Sequence, residues 1–235
     1  MTKVKICGIR TPVEAEFLNQ FSVDYAGVVL YEKSKRYVPI EKTKEILDKL
    51  NQNIIKVAVA VSPEEKMMQK VFREGFDVLQ IHGDYDRKLL EYKPDRLKLW
   101  RAVNIRKPEE LAYFDWEEAK AFDAILLDAE KYGSGQTFGW DSGQNQAGED
   151  VGRQIKQTMT QAENTKGQIE MLQKFRETLK AHGISFVLAG GLCADNVREG
   201  IRIFEPDIVD VSSGVENEHG KDEEKIRIFV EKVKN

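Results

Sequence analysis

The sequence predicts an α/β fold, a single-domain (β/α)8 barrel of the TIM type spanning residues 1–235, on three observations. Eight short apolar runs recur along the chain, and amphipathic segments separate them. Most run-plus-segment units take about 20 to 28 residues, the size of a βα repeat. The runs are apolar almost throughout rather than alternating, as suits parallel strands buried on both faces. An open doubly wound sheet is the alternative, and it needs fewer units.

The first run, VKIC (4–7), leads into Thr11-Pro12-Val13-Glu14, which reads as a capping box with proline at the first helical position. YAGVVL (25–30) is the second run. The third, IKVAVAV (55–61), precedes Ser62-Pro63-Glu64-Glu65, read as another capping box, and Gly75 is placed to end that helix. VLQIH (78–82) and LKLWRAV (97–103) follow, and Pro108-Glu109-Glu110 opens the next helix. AILLD (124–128), SFVLAG (185–190) and IVDVSS (208–213) complete the strands, with Gly183 ending the helix before the seventh. Ile226, Phe229, Val230 and Val233 give the closing helix one apolar face.

One interval breaks the rhythm. About 45 residues separate Trp140 from Ser185, where a single helix suffices. Residues 142–168 contain no aromatic side chain, and Gln144, Gln146, Gln154, Gln157, Gln161 and Gln168 make the stretch glutamine-rich. Ile169, Leu172, Phe175 and Leu179 then supply the expected helix face. The excess, about 142–170, is a polar insertion after strand six. It is either a plain spacer or, because that loop belongs to the barrel's C-terminal face, a lid or partner surface.

Composition excludes several classes. The 36 basic and 40 acidic residues give a net charge of −4, with 41% hydrophobic and 32% charged side chains. That balance argues against a nucleic-acid or anionic-membrane partner. None of the runs approaches the roughly 20 apolar residues that span a bilayer, and MTKVKICGIR lacks the apolar core of a signal peptide. Two cysteines, Cys7 and Cys193, and three scattered histidines suit neither a disulfide scaffold nor a zinc cluster. A cytoplasmic globular protein without bound metal is expected, and its heavily charged faces favour a monomer.

In (β/α)8 enzymes the chemistry sits at the C-terminal strand ends. Those ends present Cys7, Val61, His82, Asp128, Gly190 and Ser213, with Arg36 on the loop after strand two. Two glycine-rich segments follow strands seven and eight: LAGGL (188–192), which contains Gly190 and Gly191, and VSSGVE (211–216), which contains Ser213 and Gly214. Adjacent glycines let backbone N–H groups approach an anion closely, and the serine adds a hydroxyl donor. The pair predicts a phosphate site, and GSGQTFGW (133–140) predicts a flap over the same mouth. Cys7 is either a small buried hydrophobe or a base or nucleophile. Asp128, a carboxylate ending an apolar strand, has few structural roles. His82 either orients a loop or takes part directly, and Cys193 has no assigned role. Pleat parity carries one further expectation: if Cys7 faces the barrel mouth so does Lys5 one layer below, while Asp210 shares parity with Ser212 in strand eight. Lys5 and Asp210 are therefore expected to pair inside the barrel, since an unpaired buried charge is costly.

These segments form an ordered set: KICGIR (5–10), AGVVLYEKSKRYV (26–38), LQIHGD (79–84), LLDAEKYGSGQTFGW (126–140), LAGGLCADNV (188–197) and VDVSSGVENEHGKD (209–222). Together the chain resembles phosphoribosylanthranilate isomerase of tryptophan biosynthesis, over all but about 142–170. The resemblance implies an Amadori rearrangement of N-(5-phosphoribosyl)anthranilate to 1-(2-carboxyphenylamino)-1-deoxyribulose 5-phosphate, without cofactor. It implies Asp128 as the general acid that opens the furanose ring and Cys7, as thiolate, as the base that removes the C2 proton. It also implies Arg36 on the anthranilate carboxylate and Gly191, Ser213 and Gly214 on the phosphate. Gly139 and Cys193 stand where the family more often carries polar residues, and the glutamine-rich insertion is the larger departure. A different phosphosugar enzyme fits less well: a histidine-pathway isomerase places an aspartate where Cys7 stands. A Schiff-base aldolase needs a lysine at a strand's C-terminal end, whereas Lys56 and Lys98 lie near strand starts. A non-catalytic phosphate-ligand binding protein is the remaining class, and the Cys7–Asp128 pair argues against it.

Overall fold

A computed structural model describes residues 1–105, 108–129, 167 and 169–235. Eight strands close a parallel barrel in sequence order: β1 (Lys3–Cys7), β2 (Tyr25–Val29), β3 (Ile55–Val61), β4 (Val78–His82), β5 (Lys98–Ile105), β6 (Ala124–Ala129), β7 (Ser185–Leu188) and β8 (Ile208–Val211). All eight expected strands are present. Strands β7 and β8 stop two residues earlier than the apolar runs, because Gly190, Gly191 and Ser213 turn out of the sheet into the mouth. Closure pairs β1 with β8 in the register that sets Lys5 opposite Asp210.

Two apolar layers follow from strand alternation. Alternate side chains point inward, and Tyr25, Val57, Val78, Trp100, Ala124 and Ile208 pack in the barrel interior. Tyr25 and Trp100 pack ring against ring at 5.0 Å between centroids, tilted by 59°. The outward set packs under the helices as the larger core, with Val4, Ile6, Leu79, Ile81 and Leu99 fully buried. Each such side chain contributes about 1.5–3 kcal/mol on burial.

The helices are α1 (Pro12–Asn19), α2 (Thr43–Leu47), α3 (Glu65–Arg73), α4 (Trp116–Ala119), α5 (169–181), α6 (Val197–Phe204) and α7 (Glu223–Lys234). Helix α1 starts as expected: Thr11 accepts from Glu14 N at 3.2 Å, and Glu14 returns the contact to Thr11 N. The matching expectation at Ser62 is corrected. Ser62 N donates to His82 O at 2.8 Å, so the β3–β4 ladder holds that residue at φ 48°, and α3 begins at Glu65 with no side-chain cap. The alternation of eight helices is also corrected. After β4 the short span 83–97 is bounded by Pro94 and forms a 3₁₀ turn (Arg87–Tyr92), capped by Asp86 on Lys88 N. Pro108 likewise opens a 3₁₀ turn, and α4 follows it. Gly75 (φ 87°) and Gly183 (φ 72°) end α3 and α5. Leu172, Phe175 and Leu179 bury the inner face of α5, and Ile226, Phe229, Val230 and Val233 that of α7. The flap 133–140 and all but Gly167, Ile169 and Glu170 of the segment 142–170 lie outside the described residues. None of the described helices is long and apolar enough to cross a membrane.

Candidate active site

Seven of the sequence-predicted residues meet at the C-terminal mouth. Cys7 ends β1, His82 ends β4 and Asp128 stands next to last in β6. With Arg36, Gly190, Gly191 and Ser213 they line one cavity of about 510 Å³. Gly214 is placed differently. A Cβ there would collide with the Leu192 carbonyl and lie 3.0 Å from Cys193 Cα, so Gly214 lets the β8 loop press its backbone against the β7 loop. Gly190 (φ 92°) and Gly191 (φ 63°) are both left-handed, a backbone path that side chains with a Cβ resist. Asn196 staples this loop, accepting from Cys193 N at 2.9 Å and donating to Gly191 O at 3.0 Å.

Beneath the mouth, Lys5 Nζ lies 2.9 Å from Asp210 Oδ1, with Lys5 fully buried. The pair expected from pleat parity is formed. Gly27, opposite Cys7 in β2, makes room for both: a Cβ there would sit 3.1 Å from Cys7 Sγ and 3.3 Å from Lys5 Nζ. Burial opposes the Lys5 charge, but Asp210 and the Cys7 sulfur outweigh it and raise the ammonium's pKa. Burial pushes the Cys7 thiol up, and Lys5 pulls in the other direction.

Arg36 is held from one side. Its Nε and Nη2 donate to the Glu216 carboxylate at 2.6 and 2.7 Å. Lys221 Nζ donates to the same carboxylate at 2.7 Å and to Ser212 O at 3.0 Å, and Ser212 Oγ donates to Cys7 O at 2.9 Å. Burial lifts the Glu216 carboxyl, yet the Arg36 hydrogen bonds and the Lys221 charge overcome it and hold the pKa at about 2. His82 pairs with Gln80, Nε2 to Nε2 at 2.7 Å. Burial first, then the Lys5 and Arg101 charges, lower its pKa to about 3. His82 is therefore neutral near pH 7, a hydrogen-bonding group rather than a cation.

Glu216, Lys221, Gln80, Gly8 and Gly27 extend the predicted set. Gln80 could have been found by parity, since it stands two residues before His82 on one strand face. Glu216 and Lys221 lie in loops without periodicity, and only the fold brings them to Arg36. The loop after β2 also brings Lys33 and Lys35 to the rim, a basic margin suited to an anionic ligand. Among the described residues, no three His, Cys, Asp or Glu side chains are grouped to hold a metal ion.

The family model for N-(5'-phosphoribosyl)anthranilate isomerase matches residues 4–159 and 165–232. The N-(5'-phosphoribosyl)anthranilate isomerase of Aquifex aeolicus is 37% identical over 243 aligned positions, covering all of both chains. A structure of monomers generated from the dimeric Thermotoga maritima phosphoribosylanthranilate isomerase superposes with a TM-score of 0.73 at 29% identity, covering 100% of this chain and 99% of that one. A further isomerase structure, in complex with reduced 1-(o-carboxyphenylamino)-1-deoxyribulose 5-phosphate, gives 0.73 at 26% with the same coverage. A closed barrel with a basic-rimmed mouth, matched along nearly its whole length, places the chain in the N-(5'-phosphoribosyl)anthranilate isomerase family.

Proposed function

We propose that Cys7 and Asp128 divide the proton transfers of the isomerase reaction, Cys7 as base and Asp128 as acid. The reaction is the family's step in tryptophan biosynthesis, an aminoaldose becoming an aminoketose. Asp128 protonates the furanose ring oxygen, the C1–O bond breaks, and the nitrogen lone pair forms a C1=N bond. The Cys7 thiolate then takes the C2 proton, and the electron pair of that C–H bond becomes C1=C2 as the nitrogen recovers its own. Proton loss from the C2 hydroxyl and gain at C1 complete the ketone. Carbon is oxidised at C2 and reduced at C1, so the balance closes within the substrate.

The observation that supports this division is placement. Cys7 and Asp128 stand on β1 and β6, three strands apart round the closed barrel, and face the same cavity. An acid and a base on opposite walls can address opposite sides of one sugar. Arg36 takes the aryl carboxylate, where a planar guanidinium meets a planar acid. Gly190, Gly191, Ser213 and Gly214 shape the phosphate end, and neutral His82 with Gln80 forms the wall between. The chain acts as a cytoplasmic monomer in this reading; light scattering at twice the chain mass overturns it.

The test is conversion of N-(5-phosphoribosyl)anthranilate by the parent beside Cys7→Ala and Asp128→Ala. Each substitution is expected to lower kcat by roughly 10²–10⁴-fold, the usual worth of a positioned acid or base, while the reduced product analogue still binds. Retained turnover in either variant rejects that residue's role.

A further inference from the structure

We infer that Glu216 is a positioning residue for the substrate's aryl carboxylate, holding one edge of the Arg36 guanidinium so that the other edge is presented to the cavity. The inference rests on the reading of Arg36 as the carboxylate's partner. A guanidinium offers two edges that match a carboxylate, Nε with Nη2 and Nη1 with Nη2. Glu216 occupies the first, at 2.6 and 2.7 Å. The second remains for a ligand, and Arg36 lines the cavity while almost wholly buried.

The surroundings make this one orientation. Gly8 (φ 81°) lies under the Arg36 stem, and a Cβ there would collide with Arg36 Cδ. Lys221, its side chain fully buried, donates at 2.7 Å to Glu216 Oε1, the oxygen that also accepts from Arg36 Nε, and so fixes the carboxylate in place. Through Ser212, the same lysine is tied to the carbonyl of Cys7. The carboxylate anchor and the reacting cysteine therefore share one hydrogen-bonded frame, and the substrate's aryl end is set relative to its C2. Charge alone argues for the opposite arrangement, because a carboxylate against Arg36 weakens its attraction for an anion. Orientation and attraction consequently predict opposite signs when Glu216 is removed.

The experiment measures kcat and KM for N-(5-phosphoribosyl)anthranilate in the parent, Glu216→Gln, Glu216→Ala and Arg36→Met. It also measures Kd for the reduced product analogue with and without its ring carboxylate. Loss of a charge-assisted frame is expected to raise KM about 10-fold in Glu216→Gln and about 100-fold in Glu216→Ala, with kcat changed less than about threefold. The loss of affinity is confined to the carboxylated ligand, and adding Glu216→Ala to Arg36→Met costs nothing further. Glu216→Ala strands a buried ammonium; if it fails to fold, Glu216→Gln, which keeps an acceptor for Lys221, carries the result. An unchanged or lower KM in Glu216→Gln overturns the proposal, as does equal weakening of both ligands. If Arg36→Met binds both ligands as the parent does, the reading of Arg36 falls and this inference with it. If Arg36→Met discriminates between them and the Glu216 variants do not, the inference falls alone.

Discussion

Cys7 illustrates how one residue's chemistry depends on a neighbour two positions away. Burial raises its pKa, so at neutral pH the thiol form prevails and the reactive thiolate is the minor species. Lys5, one inward layer below, is the cation that limits this rise. The rising limb of kcat/KM against pH is expected at or above the ordinary thiol range. Lys5→Met moves it to higher pH and lowers kcat/KM at pH 7, because the thiolate fraction at a fixed pH falls as the thiol pKa rises. Lys5→Met leaves Asp210 buried without its partner, so Lys5→Met with Asp210→Asn is the companion variant. Iodoacetamide alkylation of Cys7, measured against pH in a Cys193→Ser background, reports the same shift without turnover. A limb and alkylation profile unmoved by Lys5→Met would remove Lys5 from the mechanism.

The loops after β7 and β8 act as one element. Gly214 has no room for a Cβ against the Leu192 carbonyl, and Asn196 closes the β7 loop on Gly191. Gly214→Ala must push the two backbones apart, because neither wall is a flexible side-chain end. The expected outcome is weaker competition by inorganic phosphate, about 10-fold in Ki, with a stability loss of about 1–3 kcal/mol from overpacking. Inhibition and thermal titrations check both. Unchanged phosphate inhibition in a folded variant would separate this loop contact from the phosphate end. The helices teach a related lesson. Thr11 and Ser62 open similar sequence motifs, yet only Thr11 caps. Ser62 is still engaged in the barrel ladder, and its backbone N–H serves His82 O instead.

Across the whole molecule, the buried groups of the mouth couple folding to pH. An unfolded histidine titrates near 6.5, and His82 in the fold is held near 3. Below pH 6.5 the unfolded chain takes up a proton that the folded chain refuses, so stability falls as pH drops from 6.5 towards 3. Glu216, held at about 2 against 4.5 for an ordinary glutamate, contributes stability above 4.5 that is lost as pH falls towards 2. Acid destabilisation therefore begins with His82 and steepens with Glu216. Urea unfolding at pH 7, 6 and 5 is expected to lose up to about 1.4 kcal/mol per pH unit below 6.5, and His82→Gln to flatten that slope. Parallel slopes in parent and variant would remove His82 as the source.

The strands, their order and the closed barrel were legible in the sequence, because apolar runs and their spacing are local properties that each segment carries by itself. The Lys5–Asp210 pair was legible too, since strand parity and ring closure suffice to oppose two residues 205 positions apart. The residues at the mouth followed from strand ends. What only the tertiary structure decided is how the loops engage. Arg36 and Glu216 are 180 positions apart, neither lies in a strand, and irregular backbone has no period from which a partner can be read. Gly8 and Gly27 are likewise ordinary glycines in the sequence, and the need for each arises only where another segment lies against it. Local patterning sets which elements form, whereas the packing of one loop on another sets which charges meet.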